Sequence, residues 1–294
     1  MKLSIITICY NIKDEIERTC KSIVSQTNQN FEWIVVDGGS TDGTVDILNK
    51  YKDKMTVFIS EPDKGIYNAM NKGIKHAKGE YLNFMNGGDS FAASDVVEKF
   101  LDFEATSAAD VIYGNMNYIK NEKDEKILKY DQIIDPYFFY NNTLNHQSTF
   151  IKRELFDKYG LYNEEYKIAA DWEKFVVYTK KRCRFEYMEN VVANFYEGGI
   201  SSTAKEKLKN ERKQIYHSLF SPVEIQEFER RKLHKYKILL FGIIPFILLE
   251  NVEEGKKITC KLFNIIPLYK IKRKQYKSIH YLFNFLPLFK IKEK

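Results

Sequence analysis

The segment FEWIVVDGGSTDGTVDILNKY, residues 31–51, contains the pattern that decides the fold. Its first half is an apolar run of strand length, rich in β-branched residues, which is typical of a strand covered on both faces. A polar loop with several glycines follows, and the segment closes with apolar residues at helical spacing. A buried strand, a glycine-rich loop and a helix in this order form the first part of a parallel β-α-β unit.

The same alternation extends on both sides of this segment. Strand patterns and helix patterns succeed one another in LSIITIC (3–9), KDEIERTCKSIVSQT (13–27), MTVFIS (55–60), GIYNAMNKGIKHA (65–77) and GEYLNFM (79–85). Regular succession implies right-handed crossovers and a mainly parallel sheet. We therefore predict an α/β fold with a Rossmann-like, mainly parallel central sheet flanked by helices.

The regular alternation of strand and helix patterns ends after Leu101. We predict a pair of strands in DVIYGNMNYI and EKILKY, a strand at 146–151, helices at 152–160 and 171–182, and a largely helical, charged stretch at 203–234. These patterns suggest a catalytic-type domain at 1–200, a helical connector at 201–234 and a distinct C-terminal region at 235–294, here called the basic tail.

Charge is divided unevenly along the chain. Residues 231–294 contain 15 lysines and arginines against 4 glutamates, a net +11, so residues 1–230 carry −5 of the total of +6. Uniform basicity would favour nucleic acid as the partner, whereas this asymmetry favours an acidic surface met by one end of the molecule. The four cysteines have no paired spacing, which indicates a reduced, cytosolic protein without a disulfide framework or a structural zinc site. The start, MKLSIITICYN, reads as a core strand rather than a signal peptide.

The basic tail contains an internal repeat. LLFGIIPF (239–246), KLFNIIPLYKIK (261–272) and YLFNFLPLFKIK (281–292) share a Phe-[Gly/Asn]-apolar-apolar-Pro core. Each apolar run is broken by proline and falls far short of the roughly 20 residues that span a bilayer. Aromatic residues beside lysines suit the membrane–water interface, so we predict contact with an anionic membrane surface. Dimerisation and packing of the tail on the body remain alternatives.

Four polar loops leave the carboxyl ends of the predicted strands, where ligands bind in such sheets. Asp37, at the end of the second strand, is a candidate for contact with a base or ribose, and Thr41 or Asp42 can cap the helix that follows. No GxGxxG motif follows the first strand and there is no P-loop, which disfavours a nicotinamide or flavin dehydrogenase.

Several motifs in order resemble a known family. IITICYN, FEWIVVDGGSTDGT, SEPDKGIYNAMNKGIKHAKGEYLNFMNGGD, NHQSTFIKRELFDKYG and AADWE are similar to the large family of inverting nucleotide-sugar glycosyltransferases with the GT-A fold, including those of bacterial surface polysaccharides. The resemblance covers about residues 1–200. It implies a nucleotide-diphosphate-sugar donor, with a UDP-sugar favoured, and transfer of a hexosyl or N-acetylhexosaminyl group to an acceptor hydroxyl.

The resemblance also implies a divalent metal, Mg²⁺ or Mn²⁺, held by an Asp-x-Asp motif at the end of the fourth strand. FMNGGD departs from that motif, because Asn86 and Gly88 occupy its two positions and Asp89 falls one residue later. We expect the glycines to let the loop swing so that Asp89 serves as the metal ligand; its alternative is a purely structural role. A second departure is Gly38, where the family often has a second aspartate that contacts the base.

For chemistry, the resemblance implies that Asp171 in AADWEKF is the general base, with Glu173 as the fallback. Without it, Asp171 would read as a helix N-cap and Trp172 as core. The donor and acceptor pocket is expected to include the loop and strand-end residues Thr7, Tyr10, Asn11, Asp37, Gly39, Asp63, Lys64, Asn71, Asn86, Gly88, His146 and Gln147.

The predicted function is that of an inverting glycosyltransferase building a bacterial cell-surface glycan, such as lipopolysaccharide or capsule. Its acceptor would be a lipid-linked or oligosaccharide hydroxyl, and the protein would be cytoplasmic, peripheral at the inner face of the membrane and possibly a homo-oligomer. Nucleic acid is not expected as a partner. The alternative is a non-catalytic nucleotide-sugar-binding module that recruits partners through its tail. A nucleotidyltransferase is disfavoured, because TICYNIKDE lacks a Gly-rich basic signature.

Overall fold

The computed structural model describes residues 1–121, 124–130, 134–199 and 203–234, and five later strands at 247–252, 257–262, 266–274, 277–282 and 286–292. The chain divides into two compact units, Met1–Leu219 and Phe220–Lys294. The first unit therefore continues beyond residue 200, where the sequence pattern placed the end of the first domain.

The first unit alternates strands and helices along its N-terminal half. Its strands are β1 Leu3–Cys9, β2 Phe31–Asp37, β3 Val57–Ser60, β4 Tyr81–Phe84, β5 Ser90–Phe91, β6 Val111–Asn121, β7 Asp124–Leu128, β8 Thr149–Lys152 and β9 Phe185–Tyr196. Its helices are α1 Lys13–Val24, α2 Thr44–Asn49, α3 Ile66–His76, α4 Val96–Glu104, α5 Pro136–Asn141, α6 Glu154–Tyr159, α7 Ala170–Lys180 and α8 Lys205–Leu219.

One mixed sheet organises this unit, in the strand order β3-β2-β1-β4-β8-β6-β9-β5, with β7 paired to β6. The strands from β3 to β4 are parallel, and Cys9 at the end of β1 is opposite Asp37 at the end of β2. Strand β8 runs antiparallel to both β4 and β6, whereas β6 and β9 are parallel. The predicted α/β architecture with a mainly parallel, helix-flanked sheet is confirmed, and the β1–β4 half directs its carboxyl ends to one edge.

Burial explains why the strands read as continuous apolar runs. Every residue of β1 is buried, because helices cover both faces of the sheet. Helix α1 buries Ile16, Cys20 and Ile23 against this sheet, and α3 buries Met70 and Ile74. The core thus fixes the two elements on either side of each strand-end loop.

The predicted strand at 146–151 is wrong in its first half. His146–Ser148 form a 3₁₀ turn, and β8 begins at Thr149. The turn is stabilised locally, since Ser148 N–H donates to the Asn145 carbonyl at 3.0 Å. Sequence patterns also missed β5, α4, α5 and β9, which follow no simple alternation.

The second unit contains helix α9, Pro222–His234, and an antiparallel sheet of five strands: β10 Ile247–Val252, β11 Lys257–Leu262, β12 Ile266–Lys274, β13 Lys277–Leu282 and β14 Leu286–Lys292. The β11–β12 hairpin pairs Lys257 with Lys272, and the β13–β14 hairpin pairs Lys277 with Lys292. All pairs of the second hairpin repeat those of the first after 277 − 257 = 20 residues, including one register shift in each. The repeated sequence motif is therefore a repeated hairpin.

The first of the three repeats, LLFGIIPF, lies outside the described residues, and β10 begins at the residue directly after it. Within the described part of the chain, none of the helices is long and apolar enough to cross a membrane.

Candidate active site

The loop after β1 begins the site at the carboxyl edge of the sheet. Tyr10 is 61% exposed, and Asn11 has a left-handed backbone with φ 48°. Asn11 joins this loop to the next, because its Oδ1 accepts from Thr41 N–H at 2.9 Å and its own N–H donates to Ser40 Oγ at 2.8 Å. Thr7 does not reach the edge: it is fully buried, and its hydroxyl accepts from the Trp33 indole at 3.0 Å.

Asp37 is buried at the end of β2 and organises the glycine-rich loop. Its carboxylate accepts from the N–H groups of Gly39 and Ser40 at 3.1 and 3.0 Å, and from the hydroxyls of Ser40 and Ser60 at 2.5 and 2.7 Å. Gly39 has φ +84°, which lets its N–H turn toward that carboxylate. The Cys9 thiol at the end of β1 also donates to this carboxylate, at 3.7 Å, so Asp37 joins the ends of β1, β2 and β3 to the loop.

Asp42 supports the starts of two helices. Its carboxylate accepts from the N–H groups of Thr44 and Lys13, each at 2.9 Å, and from the Thr44 hydroxyl. The hydrogen bond from Thr44 is the largest cause that lowers the pKa of Asp42 to about 2. The capping role considered for Asp42 agrees with this geometry.

Gly38 leaves space that another loop fills. A Cβ at Gly38 would lie 2.6 Å from Asp63 Oδ2 and 3.2 Å from the Tyr10 ring. The other oxygen of Asp63 accepts from Gly65 N–H at 2.7 Å, which fixes the side chain in this direction. The Asp63 carboxylate thus lies directly beside the backbone position where the family often has a second aspartate.

Lys64 and Asn71, two further predicted site residues, have very different environments. Lys64 is exposed next to Asp63, so its ammonium is available to solvent or ligand. Asn71 is buried, and its amide bonds the backbone of Tyr162 in both directions and the Glu164 carboxylate, at 2.9 to 3.0 Å. Asn71 therefore ties α3 to the segment before α7 rather than lining an open pocket.

Gly87 and Gly88 follow β4, and each position requires glycine for a different structural reason. A Cβ at Gly87 would lie 2.3 Å from Ile12 Cδ1, so this glycine permits close packing against the start of α1. Gly88 has φ +96°, and a Cβ there would meet Glu15 Cβ at an ordinary contact distance of 3.7 Å, so this glycine is needed for the left-handed turn and not for space. The Gly88 carbonyl is held by the Arg18 guanidinium at 2.6 and 2.9 Å. These contacts hold the turn in the conformation described, and the swing of this loop toward a ligand stays a prediction.

Asp89 follows this turn and faces inward. It is 7% exposed, and its two oxygens accept from Gln147 Nε2 at 2.6 Å and from Tyr196 N–H at 3.2 Å. Burial raises the pKa of Asp89 to about 6, although both hydrogen bonds oppose that shift. Gln147 Oε1 is buried without a hydrogen-bond partner, so the amide has spare accepting capacity beside this carboxyl.

Asn86, Gly88 and Asp89 lie where the family's metal-binding motif is expected. Within the described part of the chain, no group of three His, Cys, Asp or Glu residues could hold a metal ion. Asn86 binds His146, Gly88 has no side chain, and both oxygens of Asp89 are already hydrogen-bonded. As arranged, the residues do not fit a metal held by protein ligands alone.

Asp171 lies in the first turn of α7 and is bound by two side chains from other elements. Tyr67 of α3 donates its hydroxyl to Oδ1 at 2.8 Å, and His146 Nδ1 lies 3.1 Å from Oδ2. Burial favours a raised pKa, but the hydrogen bonds from His146 and Tyr67 and the nearby imidazole outweigh it, so the pKa of Asp171 lies below its usual value. The side chain keeps 16% exposure, enough to meet a ligand.

His146 connects Asp171 to the end of β4. Its Nε2 lies 2.9 Å from Asn86 Nδ2. With the Asn86 amide in this orientation, its nitrogen donates to Nε2, and the imidazole then donates from Nδ1 to Asp171. Asn86, His146, Asp171 and Tyr67 therefore form one hydrogen-bonded chain that holds the Asp171 carboxylate in place.

The neighbours of Asp171 on α7 have other environments. Trp172 is 2% exposed and donates from its indole to the Asn142 carbonyl at 3.2 Å. Glu173 is half-buried, and burial raises its pKa. No hydrogen bond to the Glu173 carboxylate corresponds to those that His146 and Tyr67 make to Asp171 among the described residues.

Sequence analysis missed Tyr67 and two residues of α8. Glu211 is 8% exposed and accepts from the N–H groups of Lys167, Ile168 and Ala169 at 2.9, 2.9 and 3.1 Å. Arg212 places its guanidinium 5.2 Å from the centre of the Trp172 ring. A signal existed, because the buried face of α8 contains Leu208, Glu211, Arg212, Ile215 and Tyr216 at helical spacing. A Glu-Arg pair inside an apolar stripe is unusual and indicates specific partners.

Comparison with known proteins agrees with this fold. A family model described as Glycosyl transferase family 2 matches residues 4–160. A "PGL/p-HBAD biosynthesis glycosyltransferase" of Mycobacterium bovis (strain BCG / Pasteur 1173P2) is 32% identical over 210 residues, which cover 69% of this chain and 80% of that protein. The chain belongs to Glycosyl transferase family 2 and is a glycosyltransferase that uses a nucleotide-sugar donor.

Two solved structures share the fold at lower identity. S. aureus TarS 1-349 in complex with UDP-GlcNAc aligns with a TM-score of 0.60 and 20% identity, over 73% of this chain and 65% of that one. The mannosyltransferase PcManGT from Pyrobaculum calidifontis, in complex with GDP-Man and Mn²⁺, aligns with a TM-score of 0.53 and 19% identity, over 69% and 59%. The predicted GT-A-like fold is thereby confirmed.

Proposed function

We propose that this protein transfers a sugar from a UDP-sugar to an acceptor hydroxyl with inversion at the anomeric carbon, and that Asp171 is the general base. The observation that carries this proposal is the Asp171 carboxylate, oriented by His146 and Tyr67 and partly open at the carboxyl edge of the sheet. Its lowered pKa keeps the carboxylate ionised and ready to accept a proton.

The proposed step is a single displacement. The acceptor oxygen forms a bond to the anomeric carbon while Asp171 takes the hydroxyl proton, and the bond from that carbon to the diphosphate breaks. The electron pair leaves with the nucleoside diphosphate. A base fixed by two hydrogen bonds keeps its orientation during this transfer, which supports the rate through positioning.

The nucleotide is proposed to lie against the loops after β1, β2 and β3. The acidic groups there are Asp37, which holds the glycine-rich loop, and Asp63, which lies beside Gly38. Tyr10 presents an exposed ring next to them. Gly39 and Asn11 shape the backbone, and Lys64 adds an exposed cation for the phosphates. TarS, a structural neighbour, binds UDP-GlcNAc, which supports a UDP-sugar as the donor.

The Mg²⁺ or Mn²⁺ cofactor and the ligand role of Asp89 stay predictions. PcManGT binds Mn²⁺ together with its donor. In this chain, Asp89 Oδ2 already accepts from Gln147, so a metal ion would have to use the remaining lone pairs of this carboxylate or replace that hydrogen bond. The measurement is nucleotide release with Mg²⁺, with Mn²⁺ and with EDTA, for the wild type and for Asp89→Ala.

A donor screen tests the catalytic assignment. The protein is incubated with UDP-, GDP- and dTDP-sugars, and release of the nucleoside diphosphate is measured. We expect release from a UDP-sugar, lost by at least about 100-fold in Asp171→Asn. Glu173→Gln is the matched control, since it removes a carboxylate one residue beyond Trp172 on the same helix, and it should keep most of the activity.

Loss in Glu173→Gln with activity kept in Asp171→Asn would transfer the role of base to Glu173. Binding of UDP-sugar without release, even when lipid-linked or oligosaccharide acceptors are added, would support the alternative of a non-catalytic binding module. The single, engaged carboxylate at Asp89 is the observation that favours this alternative.

We also propose that the basic tail contacts an anionic membrane surface, which places the enzyme at the cytoplasmic face of the membrane beside lipid-linked acceptors. The strand register supports this. It assigns to one face of the β10–β14 sheet the residues Lys257, Lys261, Lys270, Lys272, Lys274, Lys277, Lys290 and Lys292. Each lysine near an anionic leaflet contributes on the order of 1 kcal/mol.

Vesicle sedimentation tests this contact. We expect the full chain to bind phosphatidylglycerol vesicles, not phosphatidylcholine vesicles, and to lose binding at high salt and in Lys270→Glu/Lys272→Glu. The matched control is Lys207→Glu/Lys209→Glu, which reverses two exposed charges on α8. Equal loss in both double variants would refute a role for this face, and self-association without lipid binding would support an oligomer.

A further inference from the structure

Arg212 is a cation without a hydrogen-bonded or ion-paired partner among the described residues. It is half-buried on α8, and its Nε is buried without a hydrogen-bond acceptor. No described carboxylate forms an ion pair with it, and its ring contact is the face of Trp172 at 5.2 Å. The Asp171 carboxylate is a nearby negative charge that acts on it.

A buried N–H donor without an acceptor is costly because it has lost water and gained no hydrogen bond, and this holds for Arg212 Nε. The Asp171 carboxylate accepts from Tyr67 and His146, and no hydrogen bond or ion pair joins it to Arg212 among the described residues. Arginine recognises phosphate through its planar fork of donors. The Arg212 guanidinium can therefore bind an anionic ligand next to the candidate base.

Arg212 is also held in place before any ligand arrives. Its neighbour Glu211 bonds three consecutive backbone N–H groups just before α7, which fixes the register of α8 against that helix. Trp172 lies under the guanidinium and stacks on Tyr216 with ring centres 6.0 Å apart. Such pre-organisation lowers the entropy that is lost when a ligand binds.

We propose that Arg212 is a substrate-binding residue that contacts a phosphate group in the active site. This inference rests on the proposed function and adds a cation at a site whose carboxylates do not fit a metal ion. The phosphate belongs either to the diphosphate of the donor, where negative charge develops as the nucleotide leaves, or to a phosphate-linked lipid acceptor. Both sources present the same oxygens to the guanidinium.

The experiment measures binding by calorimetry for the wild type, Arg212→Met, Arg212→Lys and the control Lys213→Gln. Lys213 is the next residue on α8 and is exposed, so its variant removes one charge without touching the site. The donor arm compares UDP with uridine. The acceptor arm compares geranyl phosphate with geraniol, in the presence of saturating UDP. Thermal melting checks that each variant is folded.

We expect Arg212→Met to weaken one phosphate-bearing probe by about 10- to 100-fold, which corresponds to a charge-assisted hydrogen bond. Arg212→Met should bind uridine and geraniol as the wild type does, and it should stay folded. Lys213→Gln should bind all four probes like the wild type. The affinity of Arg212→Lys for the phosphate-bearing probe should lie between those of the wild type and Arg212→Met. Weaker UDP binding assigns the donor diphosphate, and weaker geranyl phosphate binding assigns the acceptor.

The proposal is overturned if Arg212→Met binds all four probes like the wild type. It is equally overturned if the variant weakens uridine as much as UDP, or if the wild type itself gains nothing from the phosphate. These outcomes are separable from failure of the proposed function, which is the absence of nucleotide release from any donor by the wild type.

Discussion

Replacing Glu211 tests how α8 supports the candidate base. Its carboxylate accepts from three backbone N–H groups at 2.9 to 3.1 Å, and two of those bonds are buried. In Glu211→Ala, two buried donors lose their acceptor, at about 1–3 kcal/mol each, while water can reach Lys167 N–H. We expect the free energy of unfolding to fall by about 3–5 kcal/mol.

Glu211→Gln is the milder perturbation. The amide keeps one accepting oxygen, which suffices for Ile168 and Ala169, but its NH₂ group meets the donor at Lys167. We expect a loss of about 1–2 kcal/mol. In both variants kcat should fall about 10- to 100-fold, because Ala169 immediately precedes α7 and a small displacement of Asp171 misplaces the base.

The assay combines urea unfolding with steady-state kinetics per folded molecule, using Glu206→Ala as the control. Glu206 is exposed on the same helix, so its removal should be nearly silent. If Glu211→Ala loses stability but keeps kcat, the buried carboxylate supports the fold without positioning Asp171. If stability is unchanged, the three hydrogen bonds contribute far less than their burial implies.

Three further outcomes are expected from groups around the site. His146→Gln should move the acid limb of the kcat profile to higher pH, because burial then raises the Asp171 pKa with less opposition; an unchanged limb would refute the coupling. The pKa of Asp89, raised to about 6, means that the folded state binds this proton more tightly, so its stabilisation is full below about pH 4 and is lost as the pH rises through 6. Asp89→Asn should remove this dependence, on the order of 3 kcal/mol between pH 4 and 8 in urea unfolding, and a parallel pH profile in both proteins would contradict it. Gly87→Ala should destabilise by about 1–3 kcal/mol, since its methyl group would lie 2.3 Å from Ile12 Cδ1, and an unchanged melting temperature would show that Ile12 yields freely.

The sequence predicted those parts of the molecule that depend on local pattern. The continuous apolar run of β1 and the strand-loop-helix unit around Asp37 were visible, because burial on both faces and glycine turns leave marks within a few residues. The motifs containing His146 and Asp171 were also visible, and the structure places the two side chains in contact.

Contacts between distant segments could not be predicted. The apolar spacing around Tyr67 predicts that this residue lies on the buried face of a helix. It does not predict that the Tyr67 hydroxyl donates to Asp171. The position of Asp89 after a strand favoured a role as a metal ligand. Its hydrogen-bond partners are Gln147 and the backbone of Tyr196, which are distant in the sequence. Glu211 lay in a stretch read as a charged connector, although its three acceptor bonds anchor the helix that carries Asp171.

The repeated hairpin of the second unit has a consequence for how this protein can change in length. Because β13–β14 reproduce the pairing of β11–β12 after 20 residues, shift included, one repeat can be duplicated or deleted in frame without breaking any remaining ladder. Unequal recombination within the repeated coding sequence would therefore yield proteins whose sheets differ by whole hairpins. Selection could then adjust the number of lysine-bearing strands in steps, while the residues that surround Asp171 stay untouched.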